Sequence, residues 1–310
     1  MTIMHKLAGI EMGGTKTVVV LGQPGRIDER VEFPTTDPTQ TLDRAIDTIL
    51  GWRDDKPVDA VGIASFGPIR VSLDACDHGF MLDTPKPGWS GAAVAGPVAA
   101  ALGCPVGLDT DVNGAALAEH RFGAGQGCES MVYLTIGTGV GGGVLIGGEP
   151  AHGLLHPEIG HVRLRRAPGD TFAGACAFHD DCIEGLVSGP ALAARLGTHP
   201  SRVDADDPVW ELVAQDLAEL FTMLVMTISP QRIVVGGGVS NKQPRLLPMA
   251  AARMPALLGG YLRDCTREKL AGMVVPPLLG DDAGPMGALV LAARALEDRA
   301  AAARAMALGA

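Results

Sequence analysis

Short apolar runs closed by glycine clusters recur along this chain, with amphipathic stretches between them. Leu7-Ala8-Gly9-Ile10 predicts a strand, Glu11 to Lys16 a turn, and Thr17-Val18-Val19-Val20-Leu21 the returning strand. Together they make a β-hairpin with a Gly-rich tip. Within Thr39 to Arg53, Leu42, Ile46, Ile49 and Leu50 keep helical spacing. Val58 to Phe66 reads as a buried strand, Val106 to Leu108 as another, and Asp111 to Phe122 as a helix. The opening pattern then returns. Met131 to Ile136 is a strand, Gly137 to Gly143 the tip, and Val144-Leu145-Ile146 the returning strand. A further strand with a glycine tip runs from Arg232 to Gly238, and helices cover Pro208 to Ile228 and Gly284 to Arg304. The Ala-rich last dozen residues are expected to fray. The repeated strand, glycine tip, strand unit predicts two related α/β domains.

Composition narrows the classes. The chain has 310 residues, with 25 Lys+Arg against 35 Asp+Glu and a net charge of −10. The length allows one large or two medium domains. With 47% hydrophobic and 19% charged residues, disorder is excluded as the main state. The acidic balance argues against nucleic acid as a partner. Six cysteines are too few for a disulfide scaffold. Lys6 is the only early positive charge and Glu11 interrupts the apolar run, so no secretory leader is read. The uncharged stretch Pro87 to Leu108 is long enough to span a bilayer, but its prolines and glycines make it a turn, a short helix and a strand. No membrane partner is expected, and the cytoplasm is the expected location.

The 42 glycines lack a collagen period. A tip without side chains is either an ordinary tight hairpin or a cradle whose N–H groups face an anion. Two tips in repeated context, with Lys16 beside the first and Arg232 to Gly238 as a third, favour phosphate. Gly137-x-Gly139-x-x-Gly142 matches the dinucleotide fingerprint in letters, but a strand follows it where a helix is required. NAD is therefore set aside, and no Walker P-loop pattern is present.

The most distinctive spacing is Cys176-x-x-His179-x-x-Cys182, with His161 able to close a tetrahedron. Four N/S ligands describe structural zinc. Catalytic zinc is disfavoured because neither HExxH nor HxxEH occurs. His156 is the reserve ligand, although Pro157 suggests a turn role. Asp111 taken alone reads as a helix N-cap. Glu158 and Glu184 flank the metal residues, and a pinned loop would present them to a polyol.

Several of these residues carry a resemblance. Glu11 to Lys16, Asp109 to Glu119, Thr135 to Gly143, His156 to His161 and Val234 to Val239 resemble the ROK family (repressors, open reading frames, kinases). His156 to His161, Cys176 to Ala191, Phe33-Pro34-Thr35, Ser65 to Pro68 and Thr84 to Trp89 resemble its bacterial fructokinase branch. The resemblance covers residues 7 to 296. It implies an α/β fold of the actin-like ATPase class, with two ribonuclease-H-like domains and a cleft between them. The expected division is 1–118 and 119–283, with helix 284–304 returning to the first and the zinc loop 156–184 in the second.

The resemblance also implies ATP-dependent phosphorylation of the 6-hydroxyl of D-fructose, with Asp111 as general base. Glu158, His161 and Glu184 would contact the sugar, and His161 would also ligate zinc. Gly13, Gly14, Thr15 and Lys16 would line one phosphate loop, and Gly137, Thr138 and Gly139 the other. Pro190, Gly236, Gly237, Gly238, Val239 and Ser240 would border the nucleotide. Mg2+ would bridge the ATP phosphates, with Glu11 as a candidate ligand. A homodimer is implied.

The sequence departs from the wider family at Glu11, where many members have Asp. Thr110 stands where sugar kinases of the family often have Asn, and His179 is the middle metal ligand. The alternative reading is another hexose kinase of the family, acting on mannose, glucose or an N-acylhexosamine. A sugar-responsive repressor is disfavoured because the first hairpin begins by Leu7, leaving no room for a DNA-binding helix-turn-helix.

Overall fold

The computed structural model describes residues 5–52, 56–204 and 206–308. In chain order the elements are β1 (Leu7–Met12), β2 (Lys16–Gln23), β3 (Arg26–Pro34), α1 (Pro38–Gly51), β4 (Ala60–Ser65), α2 (Ala95–Leu102), β5 (Val106–Thr110) and α3 (Asp111–Phe122). There follow β6 (Ser130–Ile136), β7 (Val140–Ile146), β8 (Glu149–Pro150), α4 (Ile183–Val187), α5 (Gly189–Leu196), α6 (Val209–Thr227) and β9 (Arg232–Gly236). Then come α7 (Gly238–Lys242), α8 (Leu246–Ala251), α9 (Met254–Leu257), α10 (Arg267–Met273), β10 (Val274–Val275) and α11 (Ala283–Leu308). The chain divides into two compact units. One holds residues up to Phe122, Pro150–His156 and the chain from Asp281 onward; the other holds Gly123–Glu149 and Pro157–Gly280.

In the first unit the sheet order is β3-β2-β1-β4-β5. β1 runs antiparallel to β2 and parallel to β4. Alternation sorts its faces. Ile10, Met12, Val19 and Ile63 point into a core closed by Leu42, Ile46 and Ile49 of α1 and Val98 and Leu102 of α2. The opposite face carries α3 and α11. Asp37 caps α1 by accepting from Gln40 N at 3.0 Å, and Pro38 opens the helix. Arg53, the last residue of the predicted helix, lies outside the described residues.

The second sheet repeats the first, with order β8-β7-β6-β9-β10. β6 is antiparallel to β7 and parallel to β9, and β9 is parallel to β10. The repeat seen in the glycine tips therefore extends to the whole sheet.

Three expectations are corrected. The second tip is shorter than predicted. Gly141, Gly142 and Gly143 pair with Thr135, Leu134 and Tyr133 as part of β7. Glycine serves there for packing, since a Cβ at Gly142 would stand 2.6 Å from Ile159 Cδ1. The strand read as Arg232 to Gly238 ends at Gly236, and Gly238 already opens α7. The Ala-rich end continues α11 to Leu308, in keeping with the helix propensity of alanine.

β3 went unread because its outward residues are charged; Arg26, Asp28, Glu29 and Arg30 are exposed on this edge strand. Pro87 to Leu108 does form a turn, α2 and β5. Among the described residues no helix is long and apolar enough to cross a membrane.

Candidate active site

The first unit places two groups of functional residues on its sheet. At the end of β5 the chain passes directly into α3 at Asp111. Thr110, not Asp111, takes the capping role: its Oγ1 accepts from Asn113 N at 3.1 Å. The Asp111 carboxylate accepts from Val112 N at 2.8 Å and is half-buried. Under it lies Asp109, 3% exposed, which accepts from Thr110 N and Asn113 Nδ2, both at 2.7 Å. His152 approaches the same carboxylate at 3.1 Å. That hydrogen bond holds the His152 pKa above its ordinary value against a desolvation that lowers it. Neither Asp109 nor His152 was singled out from sequence as a site residue. His156 stands outside the group formed by His161, Cys176, His179 and Cys182, and its Nε2 accepts from Ile69 N at 3.3 Å.

The other group is the first glycine tip. Gly13 N donates to Lys16 O at 2.9 Å, closing the turn, and Gly14, Thr15 and Lys16 are exposed. Thr35 Oγ1 donates to Gly13 O at 2.8 Å. Glu11 lies at the end of β1, where burial raises its carboxyl pKa against the pull of Lys16 and Arg30. Lys16 Nζ lies 3.1 Å from the Glu32 carboxylate on β3.

In the second unit three glycine-rich loops meet. Gly137 N donates to Gly139 O at 2.9 Å, and Gly189 N donates to Gly137 O at 2.7 Å. Pro190 stands in the first turn of α5, whose cap is Ser188, accepting from Ala191 N at 3.3 Å. Gly237, at φ +94°, brings the loop before α7 so close to β6 that a Cβ would stand 2.5 Å from Ile136 N. Gly238 opens α7, followed by Val239, and Ser240 Oγ donates to Gly237 O at 3.0 Å. Gly137–Gly139, Pro190 and the Gly236–Ser240 segment are thus brought together.

Beside this loop cluster sits a pair of carboxylates. Glu184, in the first turn of α4, accepts from Val140 N at 3.1 Å. A Cβ at Gly139 would fall 2.7 Å from its Oε2, so the tip needs glycine there to admit the carboxylate. Glu158 reaches solvent, but its carboxyl is desolvated. That burial, with the Glu184 charge second, pushes its pKa up to about 7.

The ligand atoms of His161, Cys176, His179 and Cys182 lie within 4.8 Å of one another. His161 Nδ1 is 3.7 Å from each of Cys176 Sγ and Cys182 Sγ, and His179 Nδ1 is 3.9 Å from Cys176 Sγ. Tetrahedral Zn–S and Zn–N bonds of about 2.3 and 2.0 Å put neighbouring ligand atoms roughly 3.3–3.8 Å apart, with S–N pairs near 3.5 Å. The donor set therefore fits one tetrahedral metal ion. Burial pushes the Cys182 thiol up to about 11, with Cys176 and Glu184 adding to it. A divalent cation would reverse that.

The Arg195 side chain of α5 is 4% exposed and bridges Asp170, in the segment between His161 and Cys176, to Asp216 of α6. Arg166 also pairs with Asp170. The Arg195 pairs left no sequence signal, because their partners stand 25 and 21 residues away.

With this geometry, likeness to known proteins can be weighed. The model of the ROK family matches residues 7–295. A fructokinase of Zymomonas mobilis is 41% identical over 91% of this chain and 95% of its own. One from Pediococcus pentosaceus is 39% identical over 94% and 99%. Among solved structures, a ROK hexokinase from Thermus thermophilus superposes with a TM-score of 0.76 at 28% identity, covering 94% of this chain and 99% of that one. The two sheets and their helices are thereby the α/β fold of the actin-like ATPases.

Proposed function

The chain belongs to the ROK family, and on that footing we propose that it is an ATP:D-fructose 6-phosphotransferase, a fructokinase. The observation that carries this reading is the likeness to fructokinases over nine-tenths of the chain or more. It is joined by an aspartate at a strand–helix junction whose capping duty is met by its neighbour Thr110.

In the proposed reaction Asp111 accepts the proton of the sugar 6-hydroxyl as that oxygen attacks the γ-phosphorus in line. The β–γ bridge bond breaks, and its electron pair leaves on ADP. Asp109, held by Asn113 and His152, fixes the backbone that carries Asp111. Glu158, His161 and Glu184 hold sugar hydroxyls. Gly13–Lys16 and Gly137–Gly139 take the phosphates, and Pro190 and Gly236–Ser240 border the nucleotide. Positioning and electrostatics supply most of the rate. Mg2+ on the ATP phosphates neutralises charge when bound, with Glu11 as a candidate contact.

His161, Cys176, His179 and Cys182 would hold zinc in a structural role. With four protein ligands such an ion would have no open position, and its contribution would be to fix the segment carrying Glu158 and Glu184. ATP as donor and thiolate ligands both fit a reducing cytoplasm. The proposed assembly is a homodimer, to be checked by gel filtration.

The test is a sugar panel with Mg-ATP in a coupled ADP assay, with metal content measured on the same sample. Fructose should give the highest kcat/KM, with about one zinc per chain, as the one such cluster among the described residues would bind. A higher value with glucose, mannose or an N-acylhexosamine would replace fructokinase by another hexose kinase of the family.

A further inference from the structure

The first glycine tip has two lysines near it, and they are placed differently. Lys16, adjacent in sequence, lies 3.1 Å from the Glu32 carboxylate. Lys86 comes from the loop between β4 and α2, and its Nζ donates to Gly14 O at 2.7 Å and to Thr35 O at 3.1 Å. Those two bonds hold the ammonium against the backbone of the tip itself. An ammonium has three N–H donors, so one remains.

The loop that delivers Lys86 is anchored. Pro85 and Pro87 flank the lysine. Trp89, which is fully buried, donates from Nε1 to Thr36 O at 2.8 Å, and its backbone N donates to Lys86 O at 3.2 Å. Thr36 follows Thr35, one of the two acceptors of the ammonium. The loop, the start of α1 and the tip therefore form one bonded unit.

The charge is uncompensated. Among the described residues no carboxylate lies within ion-pair distance of Lys86, and its two acceptors are neutral carbonyls. The residue is half-buried, and a partly desolvated cation gains most from an anion. The tip beside it is open, since a Cβ built on Gly14 would meet nothing within 4 Å.

We propose that Lys86, rather than Lys16, is the phosphate-binding cation of the first glycine tip, and that its third N–H takes the terminal phosphate of ATP. This rests on the fructokinase reading for the identity of the anion. The same phosphate chemistry could come from the sugar phosphate product, so the binding experiment separates the two sources.

The experiment measures dissociation constants for ATP, ADP, AMP and fructose 6-phosphate by calorimetry. It uses the full chain and its Lys86→Met, Lys86→Arg and Lys16→Met variants. Lys86→Met should weaken ATP by about tenfold or more, as loss of a charged hydrogen bond does. ADP should weaken less, and AMP should not change. Lys86→Arg should recover part of the loss, and Lys16→Met should weaken ATP less than Lys86→Met.

Wild-type ATP affinity in Lys86→Met would overturn the proposal. So would equal losses for ATP and AMP, which a merely structural lysine would produce, or a loss confined to fructose 6-phosphate. A larger ATP loss in Lys16→Met would also overturn it. If Lys86→Met does not fold, Lys86→Arg decides by its ATP-to-AMP ratio: a changed ratio supports the contact and an unchanged one ends it. Binding needs no turnover, so a protein that fails to phosphorylate fructose would sink the functional reading and leave this measurement interpretable.

Discussion

The two sheets share one strand order, yet the chemistry attached to them differs. In the first unit the tip between β1 and β2 is open and set among charged side chains: Lys16 and Glu32 beside it, and Lys86 bonded to its backbone. In the second, the tip between β6 and β7 is closed by backbone contacts, Gly189 N to Gly137 O among them, and admits Glu184 against Gly139. The first sheet also leads through β5 into Asp111, whereas the second carries, between β8 and β9, the converging side chains of His161, Cys176, His179 and Cys182 and a buried ion network. A duplicated topology thus fixes where strands and tips lie. What a tip does is decided by residues brought in from elsewhere in the same unit.

Changes in each unit should therefore fail in different ways. Asp111→Asn should produce the largest loss, with kcat down roughly 10²–10⁴-fold and fructose KM nearly unchanged in steady-state kinetics. Near-normal turnover would remove Asp111 from the base role. Arg195→Met leaves Asp216 buried without its cation and Asp170 with Arg166 alone, and a buried pair broken on one side costs about 3–5 kcal/mol. Its exposed counterpart in the first unit, Arg30–Asp282, should tolerate Asp282→Ala within about 1 kcal/mol. Chemical denaturation of both variants checks the contrast, and equal losses would break it.

Metal removal should act on the second unit alone. A chelator that strips His161, Cys176, His179 and Cys182 should raise fructose KM several-fold and ATP KM less. Unchanged fructose kinetics after verified metal loss would show that the loop does not position Glu158 and Glu184.

The smallest effect is a pH shift. With its pKa at about 7, Glu158 holds a proton below neutrality and is no longer a purely accepting carboxylate, so fructose affinity should fall as pH drops through that value. Glu184→Gln removes the neighbouring charge and should move the midpoint down toward the ordinary carboxylate range. Burial, the larger cause, would keep it above that range. For stability the sign is opposite. A raised carboxyl pKa contributes stability that is fully present below the unfolded pKa and is lost as pH rises through about 7.

Much of this arrangement is legible in the sequence where one local rule decides. Apolar runs ending in glycines gave both hairpins, and Cys-x-x-His-x-x-Cys gave ligands that do converge with His161. The misses follow from long-range effects. Gly141–Gly143 read as a turn because sequence cannot show that they pair with β6, nor that the Ile159 side chain packs where the Gly142 Cβ would be. β3 was hidden by its exposed charges. His152 meets Asp109 across 43 residues and Arg195 meets Asp170 across 25, distances over which no periodicity operates. Asp111 read as the cap while Thr110 takes that role, because two adjacent capping residue types leave the choice to backbone geometry.

The most direct test of the central claim is the structure of the product. Purified protein given Mg-ATP and D-fructose should yield fructose 6-phosphate, seen by phosphorus–carbon coupling at C6 in NMR, with one ADP released per sugar converted. Phosphate on C1, or ADP formation without a sugar phosphate, would contradict a terminal hydroxyl activated by Asp111.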